Sequence, residues 1–277
     1  MDKIIVTTDQ SVNSKSAIRF AINMARTRKA ELVILHVYHV LRPFIWSENA
    51  YQVYKQSFVN QTKKEITVFV DKILKSMNLS GLNFELVMID DDDVTEGVLK
   101  FTAQYPCDYI CIASRGAGTI KKIFGTHTSK LIARSKVPVI CIPSSYRNRP
   151  CKRVLYATDM KNYELELSKL ITFVKPIDAH LRMIHLASNN ELVVDKASVE
   201  LSIQKKLNYK VEVINREWNI LHTTLQDIST EVKRYKPSII AFFTHQKRSI
   251  IEKLVLPSNA EECSFYSKIP IISFKKE

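Results

Sequence analysis

The feature that most constrains this chain is that it repeats itself. The run "IIVTTD" at residues 4–9 returns as "VLYATD" at 154–159, an offset of about 150 positions. "VILHV", ending at Val37, is matched by "RMIHL", ending at Leu186, and "KVPVICIP" at 136–143 by "KIPIISF" at 268–274. Three matched segments in the same order imply duplication. The polar, proline-containing "SSYRNRP" at 144–150 reads as the seam. The chain should therefore form two domains, residues 1–146 and 151–277, a division that suits a length of 277 residues.

Within each half, short apolar runs alternate with longer stretches of helical periodicity, as expected of β-α-β units around a buried parallel sheet. In the first half "IIVTT", "LVILHV", "FELVMI", "YICIA" and "VPVICI" read as five strands. Ile18, Ala21, Ile22 and Ala25 fall on one helical face, and Ile66, Phe69, Val70, Ile73, Leu74 and Met77 repeat that spacing in a long helix within 48–77. Asp93, closing the acidic run at 90–93, is placed to cap a third helix, with Glu96 three residues on. The expected architecture is α/β, with two doubly wound, five-stranded, mostly parallel sheets related by pseudo-twofold symmetry. The last strands, "VPVICI" and "IPIISF", should pair and hide their backbone edges, so that one chain mimics a dimer.

A 45% hydrophobic and 25% charged composition is that of a globular chain, and no segment offers the roughly 18 uncharged apolar residues of a membrane span. The N-terminus lacks the basic and then long apolar layout of a secretory leader, so a cytoplasmic location is expected. Five cysteines without a Cys-x-x-Cys pair read as reduced core residues. The net charge of +13 is spread over both halves, which favours general attraction to anions over a dedicated nucleic-acid stripe.

All five glycines precede residue 150, and Gly116, Gly118 and Gly125 crowd into "SRGAGTIKKIFGTHTSK" at 114–130. That segment joins the fourth strand to the helical run "HTSKLIARS". In doubly wound sheets such crossings form the ligand crevice, and the next helix presents free N–H groups to anions. Glycines there let backbone approach a phosphate closely; Thr126 would cap the helix, and Lys121 and Lys122 would add charge. Asp9, ending the first strand, is placed to accept hydrogen bonds from a ribose diol. The corresponding loop of the second half has no glycine, and Asp159 persists there without a partner loop. One nucleotide per chain is the expectation.

These residues resemble the universal stress proteins, over essentially the whole chain as a tandem pair. The resemblance rests on "TTD" with "LHV", then on a Gly-x-x-Gly segment followed by Gly-Thr and ending in "VPV". It implies ATP as the ligand, with Mg2+ as an optional companion. It further implies that Thr7, Thr8 and Asp9 border the adenosine, that Val37 contacts the adenine and that Ile112 and Ala113 line the site. Gly116, Gly125, Thr126 and His127 would meet the phosphates. Ala113 replaces the family's first glycine, and eight residues rather than nine separate Gly116 from Gly125.

No Gly-x-x-x-x-Gly-Lys-Ser/Thr string is present, so strong ATP hydrolysis is not expected. His36 and His39 should point to opposite faces, against a metal pair. The leading reading is a signalling or stress-response protein that binds adenine nucleotide with little or no hydrolysis. An interaction scaffold with a degenerate glycine loop stays open, as does an adenine-nucleotide hydrolase-like enzyme whose catalytic base cannot be located. Beyond the pseudo-dimer, a homodimer or protein partner is an open possibility.

Overall fold

The computed structural model describes residues 2–114, 124–186, 195–216, 224–244 and 268–276. The first half runs β1 (Lys3–Thr7), α1 (Val12–Arg28), β2 (Glu31–Tyr38), α2 (Glu48–Ser76), β3 (Glu85–Asp90), α3 (Val94–Gln104), β4 (Tyr109–Ala113), α4 (Thr126–Arg134) and β5 (Val139–Ile142). The second half runs β6 (Arg153–Thr158), α5 (Tyr163–Val174), β7 (His180–Leu186), α6 (Lys196–Leu207), β8 (Val211–Arg216), α7 (Thr224–Tyr235), β9 (Ile239–Thr244) and β10 (Ile271–Lys275). No helix among the described residues is long and apolar enough to cross a membrane.

The strands form one sheet in the order β3-β2-β1-β4-β5-β10-β9-β6-β7-β8. Each five-stranded half is parallel throughout, and, as the pairing of the last strands anticipates, the two halves join into one sheet where β5 and β10 run antiparallel, Ile271 against Cys141 and Ser273 against Val139. The central strands are apolar on both faces because helices cover both, so Ile4, Ile5, Val6, Ile110 and Cys111 are all fully buried.

Helix starts follow local chemistry. The Ser11 hydroxyl accepts from the Ser14 amide at the head of α1, and the Ser47 hydroxyl from the Ala50 amide at the head of α2. Asp93 caps α3 by accepting from the amides of Thr95 and Glu96. Glu96 does not turn back to close a capping box, because its carboxylate pairs with Arg134 of α4. In α2 only Thr62, Ile66, Val70, Ile73 and Leu74 are buried, so the sheet is met by the C-terminal part of that helix.

Across the seam the halves share Arg28, whose side chain is 2% exposed and pairs with Asp2 at 2.5 Å. Its guanidinium also donates to the carbonyls of Phe173 (2.7 Å) and Thr172 (3.1 Å) in the last turn of α5, and lies over the rings of Tyr109 and Phe173. The C-terminal end of a helix favours such a cation.

Candidate functional site

Register decides which residues meet at the carboxyl edge of the first half. Thr7 lies opposite Leu35 on β2, and Val6 opposite Cys111 on β4, so the end of β1 sits between the ends of β2 and β4. Side chains alternate along a strand. Val37 and Ile112 accordingly join the core between the sheet and α3/α4, together with Ile5 and Ile110, whereas Ala113 packs on the opposite face. Thr7, sharing the parity of Ile5, belongs with Val37 and Ile112. Thr7, Thr8, Asp9, Val37, Ile112 and Ala113 are thus neighbours along one edge, divided between two faces. Gly116, Gly118, Lys121 and Lys122 lie outside the described residues.

The turn after β1 is held by a small polar network. Thr8 is 6% exposed; its amide donates to the Leu35 carbonyl and its hydroxyl to Ser14, while it accepts from the Gln10 amide. His36 Nδ1 lies 2.7 Å from the Thr8 carbonyl, an N–H donation from β2 that fixes the same turn. Gln10 takes φ 59°, a left-handed conformation that turns the chain sharply into α1. Asp9 is exposed, and its Oδ1 accepts from the Ser11 amide at 3.0 Å.

At the end of β4 the Gly125 amide donates to the Ser114 carbonyl at 2.8 Å, tying the head of α4 to that strand. The Thr128 hydroxyl adds a second tie to the Ala113 carbonyl at 3.0 Å. Gly125, not Thr126, is the N-cap, and it makes no side-chain cap bond; Thr126 is the first helical residue and is exposed. This corrects the expected cap. Gly125 takes the extended cap conformation with its amide held by Ser114, which moves Thr126 one position into the helix, where its hydroxyl cannot reach its own first-turn amides. An α4 N-terminus without a side-chain acceptor leaves N–H groups that can meet an anion.

His127 leans toward α3, its Nδ1 3.2 Å from the Thr95 hydroxyl and 3.9 Å from Asp93. Asp93 also holds Lys130 at 2.9 Å, and that hydrogen bond, with those from the Thr95 and Glu96 amides, keeps its carboxyl well below the usual range despite partial burial. Sequence reasoning missed Gly97: a Cβ there would lie 2.9 Å from Val37 Cγ1 and 3.1 Å from Asp91 Cβ. The glycine lets α3 seat against Val37. Its location in a helix, where glycine is disfavoured, was the available signal.

Among the described residues no group of three or more His, Cys, Asp or Glu side chains is arranged to hold a metal. His36 and His39 go separate ways, His39 to Asp90 at 3.4 Å and His36 to Thr8.

The second half occupies the equivalent edge differently. Asp159 receives the Lys161 amide at 3.2 Å and the Lys276 ammonium at 3.3 Å. Lys276 also pairs with Glu166 at 2.7 Å, and Glu166 accepts from the Tyr156 hydroxyl.

Comparison with known proteins bears on both halves. The family model described as "Universal stress protein family" matches residues 1–143. The stress response protein NhaX of Bacillus subtilis is 26% identical over 161 residues, which span 51% of this chain and 97% of NhaX. The solved structure of a universal stress protein from Archaeoglobus fulgidus superposes with a TM-score of 0.68 at 20% identity, covering 99% of this chain and 98% of its own. A functionally unknown protein of Pseudomonas aeruginosa PAO1 follows at 0.57 and 11%, covering 99% and 92%. These structural likenesses speak for the fold, while the sequence model matches more than half the chain: it belongs to the universal stress protein family.

Proposed function

We propose that the first half binds an adenine nucleotide, ATP, at the carboxyl ends of β1, β2 and β4, and that binding serves a signalling or stress-response role with little or no hydrolysis. Residues 1–146 form the binding domain in this reading, and residues 151–277 its non-binding partner. The observation that carries it is the head of α4, lacking a side-chain cap and tied to β4 through Gly125 and Ser114, at the same carboxyl edge of the sheet as the exposed Asp9 that follows β1. Asp9 would take the ribose hydroxyls, Thr7, Thr8, Val37 and Ile112 would flank the adenosine with Ala113 behind, and Gly125, Thr126 and His127 would face the phosphates together with Gly116. Mg2+ would be held by the phosphates and water, since the described residues offer it no cage.

Calorimetric titration tests this. Heat should saturate with one ATP per chain, and Asp9→Ala should weaken binding about tenfold, the scale of a lost hydrogen bond to a charged group. Silence at millimolar ATP sinks the proposal, and two equivalents sink its assignment to one half. The interaction scaffold has one observation in its favour: Asp9 already spends Oδ1 on its own turn. Nucleotide detected by mass spectrometry in freshly purified, denatured protein separates the two. The four described cysteines are unpaired, which supports a reducing, cytoplasmic setting that cell fractionation can check.

A further inference from the structure

The two ends of the β5–β10 seam are built alike. At one end, the Lys3 amide donates to Asp108 and the Asp108 amide to the Lys3 carbonyl, while Ile110 donates to the Pro138 carbonyl. At the other end, the Arg153 amide donates to Ser238 and the Ser238 amide to the Arg153 carbonyl, while Ile240 donates to Pro270. Lys136 and Lys268 hold matching places ahead of those prolines. Ser238 therefore stands where the first half has Asp108.

That exchange removes the carboxylate from a groove of about 580 Å³, and the inter-half linker then adds cations to it. Arg147, Arg149, Lys152, Arg153, Lys236 and Lys268 line it, with no acidic residue among the lining side chains. Lys152 is partly engaged by the carbonyls of Ile177 and Asp178 and by the exposed Asp178 carboxylate at 3.5 Å, and Arg153 lies over the Tyr235 ring. Arg147, Arg149, Lys236 and Lys268 have no carboxylate partner among the described residues. The linker is not loose: Tyr146 is 6% exposed, packs edge-on against Phe20 and donates to the Arg149 carbonyl at 3.0 Å, so the arginines are presented from a fixed base.

We propose that this groove is a binding site for a small polyanion carrying two or more phosphate groups, separate from the nucleotide site of the first half. Of the six cations lining one groove, Arg147, Arg149, Lys236 and Lys268 have no acidic partner among the described residues; like charges held together repel one another, and a multiply charged anion relieves that repulsion. The lining sets the occupant. Pro150, Pro237 and Pro270 wall the groove, and its aromatic ring, Tyr146, is buried, so no exposed ring offers a platform for stacking nucleic-acid bases.

The test is calorimetric titration of the full chain with inorganic tripolyphosphate at low and physiological salt. The wild type should bind, more weakly as salt screens the cations. The triple variant Arg149→Gln, Lys236→Gln, Lys268→Gln should lose one equivalent per chain or bind at least about tenfold more weakly. All three side chains are exposed, so an unchanged melting temperature will show the fold intact. Lys136→Gln, at the other end of the seam, should leave that equivalent untouched. Absence of tripolyphosphate binding, a triple variant that binds as wild type does, or a DNA duplex that binds this surface without being displaced by tripolyphosphate would each overturn the assignment.

Discussion

The ammonium of Lys276 lies 2.7 Å from Glu166 Oε1, and both side chains are at most 5% exposed. By the repeat offset Glu166 stands where the first half has Ser16, and by the β5/β10 match Lys276 stands where it has Ser144. There the Ser16 hydroxyl donates to the Ser144 carbonyl at 2.9 Å. A neutral contact in one half has become a buried ion pair in the other, and its cation reaches on to Asp159. Burial opposes the Lys276 charge, but hydrogen bonding to Glu166 and the nearby Asp159 hold its pKa above the ordinary lysine value. Removing only the cation strands the carboxylates. Lys276→Met should cost about 3–5 kcal/mol in urea unfolding, and adding Glu166→Gln should recover part of it.

Arg28 makes a second prediction, on the joint between the halves. Its guanidinium satisfies Asp2 and two carbonyls of α5 at once. Arg28→Ala should destabilise the chain by about 3 kcal/mol. Arg28→Lys should recover only part, because a point charge cannot reproduce the planar fork. Equal stability of Ala and Lys variants by urea denaturation would contradict this.

Gly97→Ala sets two effects against each other. Alanine gains about 1 kcal/mol in helix propensity. A methyl 2.9 Å from Val37 Cγ1 overpacks the junction, costing about 1–3 kcal/mol. A net loss of about 1 kcal/mol is expected, with displaced Val37 methyl resonances by NMR. If Val37 borders the adenine, ATP affinity should fall too.

The contact between α3 and α4 should be acid-labile. Asp93 and Glu96 are both held below their ordinary values, chiefly by hydrogen bonds from Lys130 and Arg134 of α4 respectively. A carboxyl whose pKa is lower folded than unfolded contributes stability that is fully present above the unfolded value, about 4, and is lost as pH falls below it. Hydrogen exchange should show α4 opening more readily at pH 3 than at pH 6, and Lys130→Gln should blunt that difference.

Much of this fold could be read from the residues alone. Ile18, Ala21, Ile22 and Ala25 are buried as their spacing demands, and "VPVICI" does pair with "IPIISF". Such features are local patterns or repeats of them. The cap of α4 was misplaced by one residue because Gly125 is held through its amide by Ser114, a contact no periodicity reveals. The spread of positive charge along the chain gives no hint of the groove at the seam. Arg149, Lys236 and Lys268 come from three separate segments, and only the sheet order brings them into one groove. The bonds of Arg28 to the carbonyls of Thr172 and Phe173 and the Glu166–Lys276 pair were hidden for the same reason, since each joins positions over a hundred residues apart.

Because β5 and β10 belong to one chain, the union of the halves across their antiparallel junction is independent of concentration. Two separate subunits joined edge to edge would part on dilution, whereas a tethered pair re-forms at a local concentration set by its own linker. A half that cannot drift off is also free to change its pocket chemistry, because its neighbour no longer has to find a matching copy of itself.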